Sequence, residues 1–482
     1  MLAPGRIHHP SAAAALGTPV RSRFCSLCCL GHEVLNAMPP MEFEETLAYL
    51  LSLGHETLAI KLGLRNTELL LEALGNPQRD YESVQIAGTN GKGSTAAMLD
   101  SICRAARIPT GLYTSPHLRS VTERIGIDGR NISEDRFAQF ASVVREAAED
   151  LLAQGKIEAL PTFFEHLTAI ALLAFREANL RLAILETGLG GRLDATTVAG
   201  AKTVAITPVS LDHQEHLGET IEEIAFEKAA IIRPGVAAII ATQSPEVLNV
   251  ILNRCSECEV AATVAGCRAL ELGATPGGLF DVTFETSKDR YENVHLALRG
   301  RHQVTNACLA IQLAESLRSR GFAISKTAIV QGIEATWHAG RLTFGSHSIL
   351  FDGAHNPGAA RVLREYLDEF VEEPLTLVFG AMSDKSLAAM AAILFPGVAC
   401  LILTQPDNPR AASVGSLQTL AENFLQREKI FAVPNVIEAL KKARDVTPPH
   451  GQICVTGSLY LIGEASHALY VASWSEFTKE SS

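Results

Sequence analysis

The sequence contains no apolar run that reaches the roughly 18 residues of a membrane-spanning helix. It also lacks an excess of basic charge, because 41 lysines and arginines stand against 53 aspartates and glutamates, for a formal net charge of −12. A nucleic-acid-binding protein should show a basic footprint. We therefore expect neither a membrane protein nor a nucleic-acid-binding protein.

Cysteines in paired metal-binding motifs are also missing. The ten cysteines are scattered: Cys25, Cys28 and Cys29 cluster near the start, and Cys255 and Cys258 form one CxxC pair. A structural zinc site needs four ligands in two close pairs, and the gap between these two groups is too long for one site. Free, reduced thiols in the cytosol are the expected state.

The first 37 residues lack a periodic pattern and carry no acidic side chain before Glu33. An arginine-bearing, acid-poor segment of this kind is typical of an organellar transit peptide. A disordered tail, or upstream sequence joined to a start at Met38 or Met41, fits the composition equally well. We expect residues 1–37 to form a disordered or leader segment.

The stretch Ser83–Asp100 is the most informative part of the chain. Ser83–Ala87 is typical of a short buried strand, and good helix formers follow from Thr95 onward. The residues between them read G-T-N-G-K-G-S, in which glycines let backbone N–H groups turn inward while the lysine and the helix N-terminus add positive charge. The predicted phosphate-binding residues are Gly88, Thr89, Asn90, Gly91, Lys92, Gly93, Ser94 and Thr95.

This loop departs from the generic nucleotide-binding pattern G-x-x-x-x-G-K-[ST]. Ile86 occupies the position of the first glycine, and Gly93 rather than Ser or Thr follows the lysine. The alternative is a plain glycine-rich turn between a strand and a helix. Packing gives no reason for Lys92 inside such a turn, so we favour the phosphate loop.

A second buried strand, Leu182–Leu185, ends in Glu186 and leads into a glycine run. Ligands of open parallel sheets gather outside the carboxyl ends of the strands, and a carboxylate at that place suits magnesium. The alternative is an acid that only caps the glycine loop.

A third strand, Val204–Thr207, precedes Asp212 and His213, and a helix from Thr220 carries Lys228. A single histidine is more often a hydrogen-bonded polar residue than a ligand. A lysine among glutamates is often a partner in ion pairs on a solvated helix face. The residues alone leave both roles open.

Three motifs give the chain a family resemblance. They are G-T-N-G-K-G-S at 88–94, E-T-G-L-G-G-R-L-D-A-T at 186–196 and D-G-A-H-N-P at 352–357. Together they resemble the folylpolyglutamate synthases and dihydrofolate synthases, which are relatives of the Mur ligases. The similarity extends from about Met41 to about Gly463. Thr197 stands where that family mostly has asparagine.

The resemblance implies roles that the pattern alone leaves open. The implied magnesium ligands are Ser115, Glu186, His213 and a carbamylated Lys228. The implied ATP contacts, besides the phosphate loop, are Asn306, Arg341, Asp352 and His355. Lys92, His213 and Lys228 are the predicted catalytic residues. Two departures accompany them: Ala230 replaces a glycine near Lys228, and His338-Ala339 replaces the usual Trp-Pro before Gly340-Arg341.

Towards the C-terminus, strands and helices alternate, which is typical of a parallel α/β domain. The predicted fold class is α/β, with an N-terminal P-loop-type parallel-sheet ATPase domain and a smaller C-terminal Rossmann-like α/β domain. We expect a Mur-ligase-like ATP-binding domain over residues 38–298 and a glutamate-ligase domain over residues 299–482, with a linker at Leu298–Gly300.

No set of nucleophile, base and orienting residue stands out in the sequence. A phosphate loop, magnesium ligands and an arginine instead position and neutralise the charge of a phosphoryl group. The resemblance implies a ligase that uses ATP and magnesium to phosphorylate a carboxylate, after which the amino group of L-glutamate attacks the acyl phosphate. It implies dihydropteroate and folates as substrates.

Two alternatives remain open. One is a folylpolyglutamate synthase without dihydrofolate synthase activity, and the other is a P-loop ATP-binding regulatory protein without ligase activity. The joint presence of Ser115, Glu186, His213 and Lys228 favours a ligase. We further expect a cytoplasmic monomer with no nucleic-acid or membrane partner, and an organellar location is the alternative if the leader is a transit peptide.

Overall fold

The computed structural model describes residues 40–54, 63–345, 348–371 and 374–471. The predicted leader over residues 1–37 lies outside these ranges. All described elements belong to one compact unit that begins at Pro40.

The first sheet contains the strands that lead into the phosphate loop and the glycine run. Within the described ranges its strands are β1 (Glu82–Ala87), β2 (Thr110–Tyr113), β3 (Ile125–Ile127), β4 (Arg130–Asn131), β5 (Leu182–Glu186), β6 (Thr203–Ile206), β7 (Ala237–Ile240) and β8 (Thr263–Val264). Their order is β4-β3-β2-β5-β1-β6-β7-β8. β3 and β4 pair antiparallel at one edge, and the other strands run parallel. β1 and β5 are almost entirely buried, which explains their apolar composition.

The helices of this half are amphipathic or buried segments that connect the strands. They are α1 (Phe43–Ser52), α2 (Arg65–Ala73), α3 (Lys92–Ala105), α4 (Glu134–Ala153), α5 (Phe163–Glu177), α6 (Gln214–Leu217), α7 (Ile221–Ala229) and α8 (Pro245–Glu257). α3 begins at Lys92, three residues before the predicted start at Thr95, because Gly91 already supplies the turn into the helix. α5 begins with a reciprocal capping box formed by Thr162 and Glu165.

The region with the weakest sequence pattern forms a three-stranded antiparallel sheet. Its strands are β9 (Cys267–Ala274), β10 (Phe280–Thr286) and β11 (Arg290–His295). Two helices follow, α9 (His302–Ser319) and α10 (Lys326–Glu334), and they share a hydrophobic core with β1 and α3. This packing favours a domain boundary after α10, whereas the boundary between residues 298 and 299 stays a prediction.

The second large sheet follows α10. In the part of the chain that the structure describes, its strands are β12 (Thr343–Phe344), β13 (Leu350–Asp352), β14 (Leu375–Phe379), β15 (Cys400–Leu403), β16 (Ile430–Ala432) and β17 (Gln452–Thr456). The order is β12-β13-β17-β14-β15-β16, with only β12 antiparallel. Its helices are α11 (Pro357–Phe370), α12 (Leu387–Leu394), α13 (Val414–Ala421), α14 (Val436–Val446) and α15 (Leu459–Val471). The predicted α/β fold class is confirmed.

The described helices also bear on the membrane question. Across residues 40–471, apart from the short undescribed gaps, no helix combines the length and the apolar character that crossing a lipid bilayer requires.

Candidate active site

A cavity of about 560 Å³ lies where the carboxyl ends of parallel strands from both large sheets meet. Segments that follow β1, β5 and β6 line it from the first sheet. Segments that follow β13, β14, β15 and β17 line it from the second sheet. Because ligands of open α/β sheets bind outside the carboxyl ends of the strands, this cavity is the candidate active site.

The phosphate loop follows β1 and opens helix α3. Gly91 has a φ of 89°, and a Cβ atom there would lie 2.3 Å from Oδ1 of Asn306. A side chain at this position is therefore excluded both by the backbone conformation and by the neighbouring amide. The first N–H groups of α3 have no acceptor within the helix, and with the positive end of the helix they suit a phosphate group.

Two lysines, the half-buried Lys92 and the buried Lys228, lie beside the phosphate loop. Nζ of Lys92 donates to the carbonyl groups of Gly88 and Thr89 at 3.1 and 3.2 Å, and Nζ of Lys228 donates to Gly88 at 2.9 Å. Burial lowers the pKa of Lys92. Burial and the positive charge of Lys92 lower the pKa of Lys228 to about 7, so that its uncharged amine is populated near neutral pH.

Ser115 and Glu186 are in contact in the cavity. The backbone N–H of Ser115 donates to Oε2 of Glu186 at 3.3 Å. Burial raises the pKa of Glu186, while the charge of Lys92 opposes this shift. Carboxylate and hydroxyl oxygens are ligands that a hard cation such as magnesium prefers. These two residues therefore fit the predicted metal role.

Asp212 and Lys385 form an ion pair between segments of the two sheets. Nζ of Lys385 lies 2.8 Å from Oδ1 of Asp212 and 3.2 Å from Nε2 of His213. Burial alone would raise the pKa of Asp212, but the neighbouring side chains of His213, His355 and Lys385 lower it below its ordinary range. Burial lowers the pKa of His213 to about 3, so its ring is neutral and Nε2 can accept a hydrogen bond from the ammonium group.

An asparagine pair joins the phosphate loop to the second sheet. Nδ2 of Asn356 donates to Oδ1 of Asn90 at 3.1 Å and to Oδ2 of Asp212 at 2.9 Å. Oδ1 of Asn356 accepts the N–H of Ala359 at 2.8 Å and so caps helix α11. The fifth residue of the D-G-A-H-N-P motif, Asn356, thus both caps a helix and contacts the opposite wall of the cavity.

Arg341 and Asp352 lie on the second-sheet side. The carboxylate of Asp352 accepts the N–H groups of Leu342 and Ala354 at 3.1 and 3.0 Å. Burial raises the pKa of Asp352 to about 6, and the charge of Arg341 opposes this shift. Nη1 of Arg341 donates to the carbonyl of Gly353 at 3.5 Å. These contacts hold the arginine segment against the end of β13.

The structure brings nearly all predicted site residues to one cavity. The lining includes Gly88, Thr89, Asn90, Gly91, Lys92, Gly93, Ser94, Ser115, Glu186, His213, Lys228, Asn306, Arg341, Asp352 and His355. Thr95 is not part of the lining: it is fully buried in α3, and its hydroxyl has no hydrogen-bond partner among the described residues. Lys385 and Arg410 also line the cavity, although we did not assign them from the sequence. Both residues follow the carboxyl ends of parallel strands, and this position in the sequence could have indicated that they line the site.

The predicted magnesium ligands are less closely grouped. Within residues 40–471, leaving aside the undescribed gaps, no three His, Cys, Asp or Glu side chains come close enough to hold a metal ion. Ser115 contacts Glu186, whereas His213 contacts Lys385 and Lys228 contacts the phosphate loop. The magnesium ligand set of Ser115, Glu186, His213 and a carbamylated Lys228 therefore stays a prediction.

Comparison with known proteins gives matches along most of the chain. The Mur ligase middle domain matches residues 86–314, and the Mur ligase glutamate ligase domain matches residues 340–459. The dihydrofolate synthase/folylpolyglutamate synthase of Mycobacterium tuberculosis is 35% identical over 402 residues, which cover 79% of this chain and 82% of that protein.

Solved structures agree with these matches. The M. tuberculosis folylpolyglutamate synthase complexed with ADP has a TM-score of 0.84 and 31% identity, and the match covers 90% of this chain and 99% of that one. A bifunctional folylpolyglutamate synthase/dihydrofolate synthase with Mn, AMPPNP and L-glutamate bound has a TM-score of 0.77 and 29% identity, with coverage of 90% and 99%.

Fold and matches together define a Mur ligase architecture. The chain belongs to the dihydrofolate synthase/folylpolyglutamate synthase family, and the resemblance of its motifs is confirmed. It spans about half the length of some curated relatives that it matches. One is the probable bifunctional folylpolyglutamate synthase/dihydropteroate synthase of Haloferax volcanii, which is 35% identical over 88% of this chain and 50% of that protein.

Proposed function

We propose that this chain is a ligase that uses ATP and magnesium to add L-glutamate to dihydropteroate and to folates. The observation that carries the proposal is the cavity between the two sheets, with a phosphate loop on one wall and cationic side chains on the other. Such a cavity can hold ATP beside a carboxylate and neutralise the charge that develops on the transferred phosphoryl group.

The reaction has two steps. A carboxylate oxygen of the pterin-bearing substrate attacks the γ-phosphorus of ATP, and an acyl phosphate and ADP form. The amino group of L-glutamate then attacks the acyl carbon, an amide bond forms, and inorganic phosphate leaves as the amine loses its proton. Lys92 and the first N–H groups of α3 stabilise the phosphate charge, and no side chain needs to bond covalently to the substrate.

The nucleotide contacts come from both walls. The loop from Gly88 to Ser94 cradles the phosphates, and Asn306 packs against Gly91. Arg341, Asp352 and His355 are the proposed contacts on the second-sheet side, since all three line the cavity near the end of β13. Closing ATP between two walls excludes water, which protects an acyl phosphate from hydrolysis.

A bound magnesium ion would supply positive charge that neutralises part of the phosphate charge. Ser115, Glu186, His213 and a carbamylated Lys228 are the residues that would hold it. The contact between Ser115 and Glu186 supports this assignment, as does the burial of Lys228 beside the phosphate loop.

The carbamylation of Lys228 can be tested by itself. The uncharged amine adds to CO2 and releases one proton, which turns a cation into an anion with oxygen ligands. We expect Lys228→Ala to be nearly inactive, and we expect the parent enzyme to lose activity when CO2 and bicarbonate are removed and to regain it when bicarbonate is added. Intact-protein and peptide mass spectrometry after mild trapping checks the modification, with exposed Lys202 as the control lysine. Full activity of Lys228→Ala would contradict the carbamate.

The second-sheet side offers a site for the carboxylates of L-glutamate. The guanidinium of Arg410 stacks over the ring of Tyr460 at 5.9 Å and contacts its hydroxyl at 3.5 Å. Its Nε is buried and has no hydrogen-bond partner among the described residues. A guanidinium group recognises a carboxylate through two parallel hydrogen bonds, so we propose Arg410 as a glutamate contact.

The substrates are tested by supplying purified protein with ATP, L-glutamate and either dihydropteroate or tetrahydrofolate. We expect both acceptors to gain one glutamyl residue by mass, with one ADP released per product. Reaction with tetrahydrofolate alone would favour the folylpolyglutamate synthase without dihydrofolate synthase activity. ATP hydrolysis without any glutamylated product would favour an ATP-binding regulatory protein and overturn the proposal.

We further propose a cytoplasmic monomer without nucleic-acid or membrane partners. The net charge of −12 supports the absence of a nucleic-acid footprint. The seven cysteines that the structure describes are all unpaired, which suits a reducing compartment. Sedimentation analysis of the purified chain tests the monomer.

A further inference from the structure

We define the glycine loop as residues 188–194. A buried group of polar side chains lies beneath this loop. Gln85 is on β1, three residues before the phosphate loop, and is completely buried. Its Nε2 donates to Oγ1 of Thr197 at 2.7 Å and to Oγ1 of Thr196 at 3.0 Å. Buried polar groups of this kind cost free energy unless they are paired. Their presence in the middle of a parallel sheet therefore calls for a reason.

The direction of these hydrogen bonds is fixed. The hydroxyl of Thr197 donates to the carbonyl of Gly191 at 2.8 Å, and the hydroxyl of Thr196 donates to Oδ1 of Asp194. Each hydroxyl has only one proton, so each must accept from the amide of Gln85. Gln85 thus holds two threonines whose hydroxyl protons point to the glycine loop.

The glycine loop in turn packs directly on helix α7. A Cβ atom at Gly191 would lie 2.9 Å from the carbonyl oxygen of Glu227 and 3.1 Å from that of Lys228. The N–H of Arg192 donates to the same carbonyl of Glu227 at 3.0 Å. A continuous set of contacts therefore runs from β1 through Thr197 and Gly191 to the backbone of Lys228.

We propose that Gln85 and Thr197 are positioning residues that set the separation between the phosphate loop, the glycine loop and Lys228. This proposal rests on the proposed ligase function. Neither side chain lines the cavity, but Gly188, Leu189, Gly190 and Asp194 of the loop do. The hydroxyl of Thr197 accepts from Gln85 and donates to Gly191, so one small side chain joins β1 to the glycine loop.

The test compares three variants. Thr197→Val keeps the shape but removes the hydroxyl, so that the carbonyl of Gly191 keeps only the N–H of Asp194 at 3.4 Å. The amide Nε2 of Gln85 then keeps only the hydroxyls of Thr196 at 3.0 Å and Thr187 at 3.5 Å as acceptors. Thr197→Ser keeps the hydroxyl. Thr203→Val is the matched control, because Thr203 is 1% exposed on neighbouring β6 and its hydroxyl has no partner within the described ranges. Each variant is assayed for ligation, for direct ATP binding and for amide hydrogen exchange in peptides covering residues 188–194.

We expect Thr197→Val to lower kcat/KM for the pterin-bearing substrate by roughly tenfold to a hundredfold, the usual cost of a misplaced site. ATP binding should stay at the parent value, since the phosphate loop keeps its own contacts. The amides of Leu189 and Arg192, which donate to Asp194 and Glu227, should exchange faster. Thr197→Ser and Thr203→Val should resemble the parent in all three measurements.

Equal behaviour of Thr197→Val and Thr203→Val in ligation and in exchange would overturn the proposal. If Thr197→Val does not fold, Thr197→Cys takes its place, because a thiol is a weaker partner of similar size, and an exchange rate equal to that of the parent would then overturn it. ATP binding and hydrogen exchange need no ligation, so a parent protein without ligase activity would refute the proposed function and still leave this comparison decisive.

Discussion

The two large sheets contribute to the cavity in different ways. The first sheet brings backbone to the site: glycine loops follow β1 and β5, and Lys92 and Lys228 bond to carbonyl groups of the phosphate loop. The second sheet brings long charged side chains, among them Arg341, Lys385 and Arg410. One wall is shaped by the path of the chain, and the other by side chains that extend towards it.

This difference suggests a division of labour. A wall made of backbone groups is rigid and suits the phosphates, which need fixed donors. Lys385 pairs with Asp212, which lies 173 residues earlier, and Asn356 contacts Asn90 across the cavity. The site is therefore complete only when side chains of the second sheet meet the first, and each wall can be weakened separately.

On the wall formed by the first sheet, we expect substitution of Lys92 to cause the largest loss of activity. Lys92→Ala removes the positive charge from the phosphate loop, and we expect kcat to fall by about a hundredfold to a thousandfold or more. Coupled measurement of ADP and glutamylated product checks this, with the exposed Lys202→Ala as the control. Near-parental ligation by Lys92→Ala would mean that the loop does not hold the transferred phosphate.

A smaller loss is expected at Glu186. Glu186→Gln keeps the size of the side chain but removes its negative charge, so the magnesium concentration for half-maximal activity should rise by about tenfold or more. Magnesium titrations of the parent, of Glu186→Gln and of the exposed Glu222→Gln on α7 make the comparison. Identical titration curves for all three proteins would remove Glu186 from the ligand set.

The variant Lys385→Met tests the contact between the two walls. The side chains of Lys385 and Asp212 are 9% and 8% exposed, and loss of one member of a buried ion pair typically costs about 3–5 kcal/mol of unfolding free energy. We expect stability in denaturant titrations to fall by that order, while ATP binding to the first wall changes little. The double variant Asp212→Asn/Lys385→Met should recover part of the loss. An unchanged stability of Lys385→Met would show that the pair does not join the walls.

The parts of the fold that could be predicted are those with local patterns. Buried parallel strands read as apolar runs, and the phosphate loop and D-G-A-H-N-P motif read as strand ends followed by helices. The sequence predicts the start of α3 three residues too late, because Gly93 is a poor helix former. In the structure Gly93 already belongs to the helix. The sequence does not predict strand β9, because most of its residues are exposed and apolar and polar residues do not alternate along it.

The parts of the site that could not be predicted are long-range pairs. Nothing in the local sequence of Lys385 indicates that it meets Asp212 and His213, since that contact exists only when two sheets face each other. The same holds for the hydrogen bond between Gln85 and Thr197, whose residues are 112 positions apart. Thr95 was assigned to the loop by proximity in sequence, but the turn of the helix points it into the core.

Transfer of an oxygen atom tests the acyl-phosphate reaction between the two walls. Dihydropteroate labelled with ¹⁸O in its carboxylate is incubated with ATP, L-glutamate and the enzyme, and the released inorganic phosphate is examined by mass spectrometry. We predict one ¹⁸O atom in each phosphate, because the carboxylate oxygen that attacks ATP leaves with the phosphoryl group. Phosphate that carries oxygen only from unlabelled water would contradict the account, since ATP would then be hydrolysed without activating the carboxylate.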